Sequence, residues 1–207
     1  ECDLMWEAFD LAEKYRIMVV MLSDGLLGQM MEPVEFKDWV DVSKLTTPDW
    51  AIVGKGNRPR NLVSSFNLDP EGLEKMDIAL QEKYKKIKEN EVRYELYKMD
   101  DAEYVLTGFG TVARIMKSTV NMLRDKGIKA GLIRPITLWP FPYKVYEEAA
   151  DKAKFFLDVE MNEGQMLEDV KLGVNGKKPV QYYGRLGGMV PTAEEIYKAF
   201  RLHLGGC

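Results

Sequence analysis

Seven- and eight-residue apolar stretches, EYVLTGF at 103–109, IKAGLIRP at 128–135, KFFLDVEM at 154–161 and PVQYYGR at 179–185, alternate with longer amphipathic segments. In those segments, ARIMKSTVNMLRDK, YKVYEEAADKA and TAEEIYKAFRLHL, apolar side chains recur every three or four positions, and a short loop-and-helix separates the third and fourth stretches. The pattern predicts four β-strands separated by helices, with right-handed crossovers and a mainly parallel sheet covered on both faces. The fold class expected is therefore α/β, in three α/β/α layers. Lys126 with Gly127 predicts a helix stop, and Thr192 with Glu195 a capping box for the last helix.

Before residue 103 the pattern is less regular. LMWEAFDLAEKY at 4–15 places Met5, Ala8, Phe9, Ala12 and Tyr15 at helical spacing, and IMVVML at 17–22 reads as a buried parallel strand. Ser23, Asp24 and Gly25 then break the run, which makes LSDGLLGQ the loop at the carboxyl end of that strand. From Glu32 to Pro70 the chain turns irregular, and GKGNRPRN at 54–61 reads as an exposed connector whose Lys55, Arg58 and Arg60 are either a flexible basic loop or an anion contact. The run EGLEKMDIALQEKYKKIKENEVRYELY at 71–97 predicts one long helix or two abutting ones.

Composition narrows the classes. The chain has 207 residues with an apolar fraction of 46%, enough for a packed core, and its 29 basic and 33 acidic residues are interspersed at a net charge of −4. Such a surface carries no footprint for nucleic acid or anionic lipid, and no apolar run approaches the roughly 20 residues that span a bilayer. Cys2 and Cys207 stand at opposite ends without a CxxC pair, so neither a disulfide framework nor a zinc or iron–sulfur site is expected. A reducing cytoplasm fits this usage. The single His203 lacks the neighbours a catalytic imidazole needs, no metal ligands or catalytic residues are assigned, and the chain, opening at Glu1, reads as a piece of a longer protein.

Candidate chemistry gathers on loops at strand ends, where open α/β sheets bind ligands. Asp24, Gly25 and Gln29 are candidates for a cofactor or partner contact, against a structural reading in which Gly25 fixes a turn and Asp24 closes an Asx hydrogen bond. Gly108-Phe109-Gly110-Thr111-Val112-Ala113 fits the dinucleotide-binding pattern between a strand and a helix, although Arg134 stands where an acid would meet the ribose. That leaves an NADP-binding Rossmann-type domain open, beside a purely steric role for the glycines. Leu138-Trp139-Pro140-Phe141-Pro142 predicts a rigid loop presenting Trp139 and Phe141. Glu160, Asn162, Glu163, Gly164 and Gln165 put carboxylates and amides together without evident burial to raise a pKa, so a hydrogen-bonded loop facing another subunit is expected. Tyr183, Gly184, Arg185, Gly187 and Gly188 form a further strand-end loop with one cation.

Together LSDGLLGQ, the PFP loop, EMNEGQM and YYGRLGG resemble the alpha subunit of 2-oxoacid:ferredoxin oxidoreductases. The resemblance implies the end of a pyrimidine-binding thiamine domain at 1–46, a linker with a long helix at 47–100 and a transketolase C-terminal-like domain at 101–207. It implies oxidative decarboxylation of a 2-oxoacid to acyl-CoA with reduction of ferredoxin, with branched-chain acids the leaning, in a complex using thiamine diphosphate with magnesium and iron–sulfur clusters. This stretch is expected to assemble and position, to bind none of those cofactors alone and to be inactive in isolation. The implied partners are beta, gamma and delta type subunits, with coenzyme A and ferredoxin reached through the complex. Asn162, Gly164 and Gln165 are the loop contacts it implies, and Arg185 joins them as a candidate from its place at a strand end. The alternatives are a beta-type subunit of a lipoamide-dependent 2-oxoacid dehydrogenase, against which LSDGLLGQ argues, and a non-enzymatic dimerisation module.

Overall fold

A computed structural model describes residues 2–204; Cys207, named beside Cys2 in the cysteine reading above, lies outside the described residues. The chain separates into two compact units, one formed by residues up to 19 with 31–83, the other by 20–30 with residues from 84 onward.

The first unit contains α1 (Cys2–Tyr15), a short 3₁₀ turn (Val42–Lys44) and most of α3 (Pro70–Asn90). Ala8 is its buried α1 residue. Arg58 donates to the carbonyls of Asp49, Ala51 and Gly54, so the basic loop is tied to its own backbone through that guanidinium. The expected strand at 17–22 does not form. A parallel strand needs a neighbour to take its amides and carbonyls, and none among the described residues runs beside this one.

The second unit holds α2 (Gly25–Gln29) and then β1 (Tyr94–Tyr97), β2 (Tyr104–Thr107), α4 (Gly110–Asp125), β3 (Ala130–Pro135), α5 (Tyr143–Ala150), β4 (Phe155–Glu160), α6 (Gln165–Val174), β5 (Val180–Gly184) and α7 (Ala193–Leu204). The strands form one sheet in the order β1-β3-β2-β4-β5. It is parallel throughout except for β1, which pairs antiparallel with β3, Leu96 opposite Ile133. Five strands thus replace the expected four, and the expected helix over 71–97 stops at Asn90. Tyr94 to Tyr97 find hydrogen-bond partners on the open edge of β3, and cross-strand pairing overrides their place at the end of a helix-forming run.

Alternation along β2 and β4 builds two cores. Leu106, Phe155, Leu157 and Val159 face α4 and α7, packing on Val112, Met116, Val120, Leu123, Ile196 and Phe200. Val105, Ile133 and Phe156 face α5 and α6, packing on Phe141, Tyr146, Met166 and Val170. Each such fully buried aliphatic or aromatic side chain contributes roughly 1.5–3 kcal/mol. Phe141, expected on show in its proline loop, is 5% exposed and stacks on Tyr146, while Trp139 stays half exposed in edge contact with Tyr84. The helix stop holds, with Gly127 at φ +77° after Lys126. So does the capping box: the Glu195 amide donates to Thr192 Oγ1 at 3.2 Å and the Thr192 amide to Glu195 Oε2 at 2.8 Å.

Candidate functional site

Because β3, β2, β4 and β5 are parallel, the segments leaving their carboxyl ends share one edge of the sheet. The chain moves from β2 to β3 on one side and from β4 to β5 on the other, so the topology switches between β2 and β4. A crevice outside that point is where such sheets take ligands. The Gly108–Thr111 turn and the 160–165 loop flank it, and the loop after β5 lies one strand further on.

Gly108 lets these segments crowd together: a Cβ there would stand 2.7 Å from the Val159 carbonyl oxygen and 2.5 Å from Met116 Cε. The turn then opens α4 with Gly110 at φ +59°. The short helix α2 packs on this end of α4. Asp24 is its cap, with Oδ1 accepting the amides of Leu26 at 3.0 Å and Leu27 at 2.9 Å, the Asx bond expected. Burial works against the Asp24 charge, yet hydrogen bonding from Leu27, Thr111 and Leu26 holds the carboxyl below its usual range. Gly25 and Gln29 are the first and last residues of α2, and both are exposed.

After β4, Glu160 is 1% exposed, and its carboxylate accepts the Met166 amide at 3.1 Å, the Leu167 amide at 3.0 Å and Asn162 Nδ2 at 2.9 Å. Asn162 Oδ1 in turn takes the amides of Gly164 at 2.7 Å and Gln165 at 3.0 Å, and Tyr182 donates its hydroxyl to the Asn162 carbonyl. Gly164 is buried at φ +88°, whereas Gln165 is exposed at the start of α6. This network closes the first turn of α6 on itself: a buried carboxylate and an amide satisfy amides that a helix start leaves open. Beyond β5, Arg185 pairs with Glu195, whose carboxyl is held low first by the Thr192 amide and then by Arg185.

The expectation that the carboxylates of this loop are unburied fails at Glu160, and the strand before it holds a second buried acid, Asp158. It is fully buried on β4, has no hydrogen-bond partner of ordinary geometry, and is pushed up to about 9, by burial first and then by Glu160. Its register neighbour Thr107 contacts the Tyr146 hydroxyl at 2.5 Å, and burial raises that phenol as well. Asp158, Thr107 and Tyr146 escaped sequence reading; the available signal was an acid inside the apolar run KFFLDVEM.

The structure also removes the nucleotide reading. Arg134 is bound across the β1–β3 pair to Glu95 at 2.9 Å, and Asp24 stands at the start of α4 where a pyrophosphate would lie. Among the described residues no group of three or more His, Cys, Asp or Glu side chains is placed to hold a metal ion, and the described cysteine, Cys2, is exposed. No helix among the described residues is long and apolar enough to cross a membrane.

Comparison with known proteins gives this architecture its class. Residues 102–196 match the family described as pyruvate:ferredoxin oxidoreductase core domain II. Over 200 residues the chain is 44% identical to ketoisovalerate oxidoreductase subunit VorB of Methanothermobacter marburgensis, covering 97% of this chain and 56% of that protein. It is 31% identical to 2-oxoglutarate synthase subunit KorA of the same organism, over 95% of this chain and 59% of that one. The fold is shared with a solved structure of 2-oxoglutarate:ferredoxin oxidoreductase from Magnetococcus marinus, at a TM-score of 0.59 and 21% identity over 67% of this chain and 24% of that one. The sheet with its two helical layers is a core domain of the pyruvate:ferredoxin oxidoreductase type. The chain belongs to the 2-oxoacid:ferredoxin oxidoreductases and corresponds to part of one of their subunits. It spans a little over half the length of the curated relatives it matches.

Proposed function

We propose that this chain serves in the alpha-type subunit of an oxidoreductase that converts a branched-chain 2-oxoacid and coenzyme A into acyl-CoA and carbon dioxide, with ferredoxin taking the electrons. The observation that carries the choice of acid is the 44% identity to the ketoisovalerate subunit, against 31% to the 2-oxoglutarate subunit, over nearly the same stretch. In this reading residues 101–207 assemble and position, residues 1–46 close a thiamine-binding domain, and 47–100 link them. Thiamine diphosphate and the clusters are held elsewhere in the complex, in the cytoplasm, and beta, gamma and delta type subunits are the direct partners.

The internal bonding of the strand-end loops supports a positioning role. Glu160, Asn162 and Arg185 are each engaged within the chain, which suits groups that hold a loop in shape. Gln165 is exposed beside them and is the side chain we assign to contact with coenzyme A or a neighbouring subunit.

The test is a tagged pull-down of the full-length protein from its native, oxygen-free extract, with the eluate assayed for coenzyme A-dependent reduction of a viologen dye. Faster reduction with 2-oxoisovalerate than with 2-oxoglutarate or pyruvate is expected. A preference for either of the other acids overturns the substrate assignment, and a colourless self-dimer inactive on all three overturns the function.

A further inference from the structure

The start of α4 carries the features that hold phosphate in dinucleotide-binding folds: a glycine-rich turn after a strand, first-turn amides that need acceptors and the positive end of a 16-residue helix. Its cap residue, Phe109, makes no side-chain hydrogen bond. What stands there is the Asp24 carboxylate. A Cβ built on Gly110 would lie 3.5 Å from Asp24 Oδ2 and 3.8 Å from Leu27 Cδ1, ordinary contact distances, so the loop stands directly against this turn, where the φ of +59° is what calls for glycine. Thr111 Oγ1 is buried beside it without a hydrogen-bond partner of ordinary geometry, and acts on Asp24 by lowering its pKa. Asp24 therefore uses Oδ1 to cap its own short helix and presents Oδ2 to a second helix that begins 86 positions later in the chain.

We propose that Asp24 is the resident anion of the Gly108–Thr111 turn, a positioning residue that locks the LSDGLLGQ loop onto the switch-point end of the sheet and closes that turn to phosphate-bearing ligands. The turn keeps the shape of a nucleotide site because it binds an anion, and the anion is supplied from within the chain. The catalytic consequence, a loop held in register at the edge of the thiamine-binding region, rests on the function proposed above; the clamp itself does not.

Hydrogen–deuterium exchange on the full-length protein assembled with its native partners tests the clamp without reference to activity. Asp24→Ala and Thr111→Val should each lower protection about tenfold on both sides of the contact, at amides 26–28 and at amides 110–112. Formate should restore protection in Asp24→Ala, chloride at equal ionic strength should not, and inorganic phosphate should bind the vacated turn of Asp24→Ala but not the parent. Should Asp24→Ala fail to assemble, Asp24→Asn, which keeps the shape and removes the charge, carries the same expectation at a smaller size. Loosening confined to 26–28 would mean that Asp24 only caps α2, and unchanged exchange at 110–112 in both variants would equally sink the clamp. In the activity arm, Asp24→Ala should lose 2-oxoacid turnover and regain it with formate. A parent complex that turns over no 2-oxoacid would refute the proposed function while leaving the exchange result to decide the clamp.

Discussion

Strand β4 and the run at 17–22 are both six residues long and rich in large apolar side chains, yet they live in different surroundings. β4 is laddered to a parallel strand on each side and buried at every position. Met18, Val20 and Leu22 stand 83%, 62% and 73% exposed. Intrinsic preference for an extended chain is similar in the two, so it does not decide the outcome. The difference is made by neighbours: β4 has β2 and β5 for its backbone and four helices for its side chains, and with these it tolerates even two carboxylates at Asp158 and Glu160. A bare apolar run of this kind is a surface awaiting cover, and the two segments should respond oppositely to substitution.

The largest loss is expected from truncation. Phe156→Ala empties a site between the sheet and α5–α6 and should destabilise the second unit by about 3–5 kcal/mol in urea unfolding. A loss below about 1 kcal/mol would mean that the two-sided burial of β4 is looser than its geometry shows.

The buried acid sharpens the contrast. Asp158 titrates near 9 in the fold and near 4 unfolded, so the folded chain holds its proton more tightly. Its stabilising contribution is complete below about pH 4, wanes as pH rises through the folded value and is absent above about pH 9. Asp158→Asn should remove that slope, about 1.4 kcal/mol per pH unit, and raise stability at pH 8 by on the order of 5 kcal/mol relative to the parent, with little change at pH 4. The groups around it are Glu160 on the same strand, Tyr182 opposite on β5, Tyr146 on α5 and Asp169 on α6. Burial raises the Tyr146 and Tyr182 phenols, and Tyr143 on α5, which hydrogen-bonds Asp169, is pushed up to about 12, so the phenols stay neutral across the window. Parallel pH curves for parent and variant would remove Asp158 as the cause.

Glu160 differs from Asp158 in having partners. Glu160→Gln keeps the size but weakens three hydrogen bonds to the start of α6, and a loss of about 1–2 kcal/mol is expected. Thr192→Ala removes one arm of the α7 capping box and should cost about 1 kcal/mol. Both are read by the same unfolding curves. If Glu160→Gln stabilised the chain, the carboxylate would be a strained group and not a cap.

What could be read in advance follows the same division. The strands β2 to β5 and their helices were legible because each is bounded by glycine, proline or a cap and carries its own periodicity. β1 was not: Tyr94 to Tyr97 follow a helix-forming run without a break, and only the open edge of β3 makes them a strand. The run at 17–22 erred the other way, its composition promising a burial that no described strand provides. At the candidate site, the Asx turn at Asp24 and the capping box are local and were visible. The reach of Asp24 to Gly110, the pairing of Thr107 with Asp158 and the anchoring of α6 by Glu160 each join residues whose proximity the sheet order creates.

The smallest effect is expected where the chain is barest. Val20→Lys places a charge in the run at 17–22, at a side chain 62% exposed, and should change the stability of this chain by no more than about 0.5 kcal/mol, as at exposed sites generally. The same charge in β4, at Leu157, would bury an unpaired ammonium and abolish folding. Unfolding curves of both variants settle whether the contrast is real. A loss of 2 kcal/mol or more for Val20→Lys would show that the run is already buried within this chain in solution, making 17–22 a second β4 in place of its counterexample. An unchanged curve, joined to a weaker hold on the native partners in the pull-down, would locate the missing cover outside these residues, where the apolar side chains of 17–22 find the neighbours that β4 has at home.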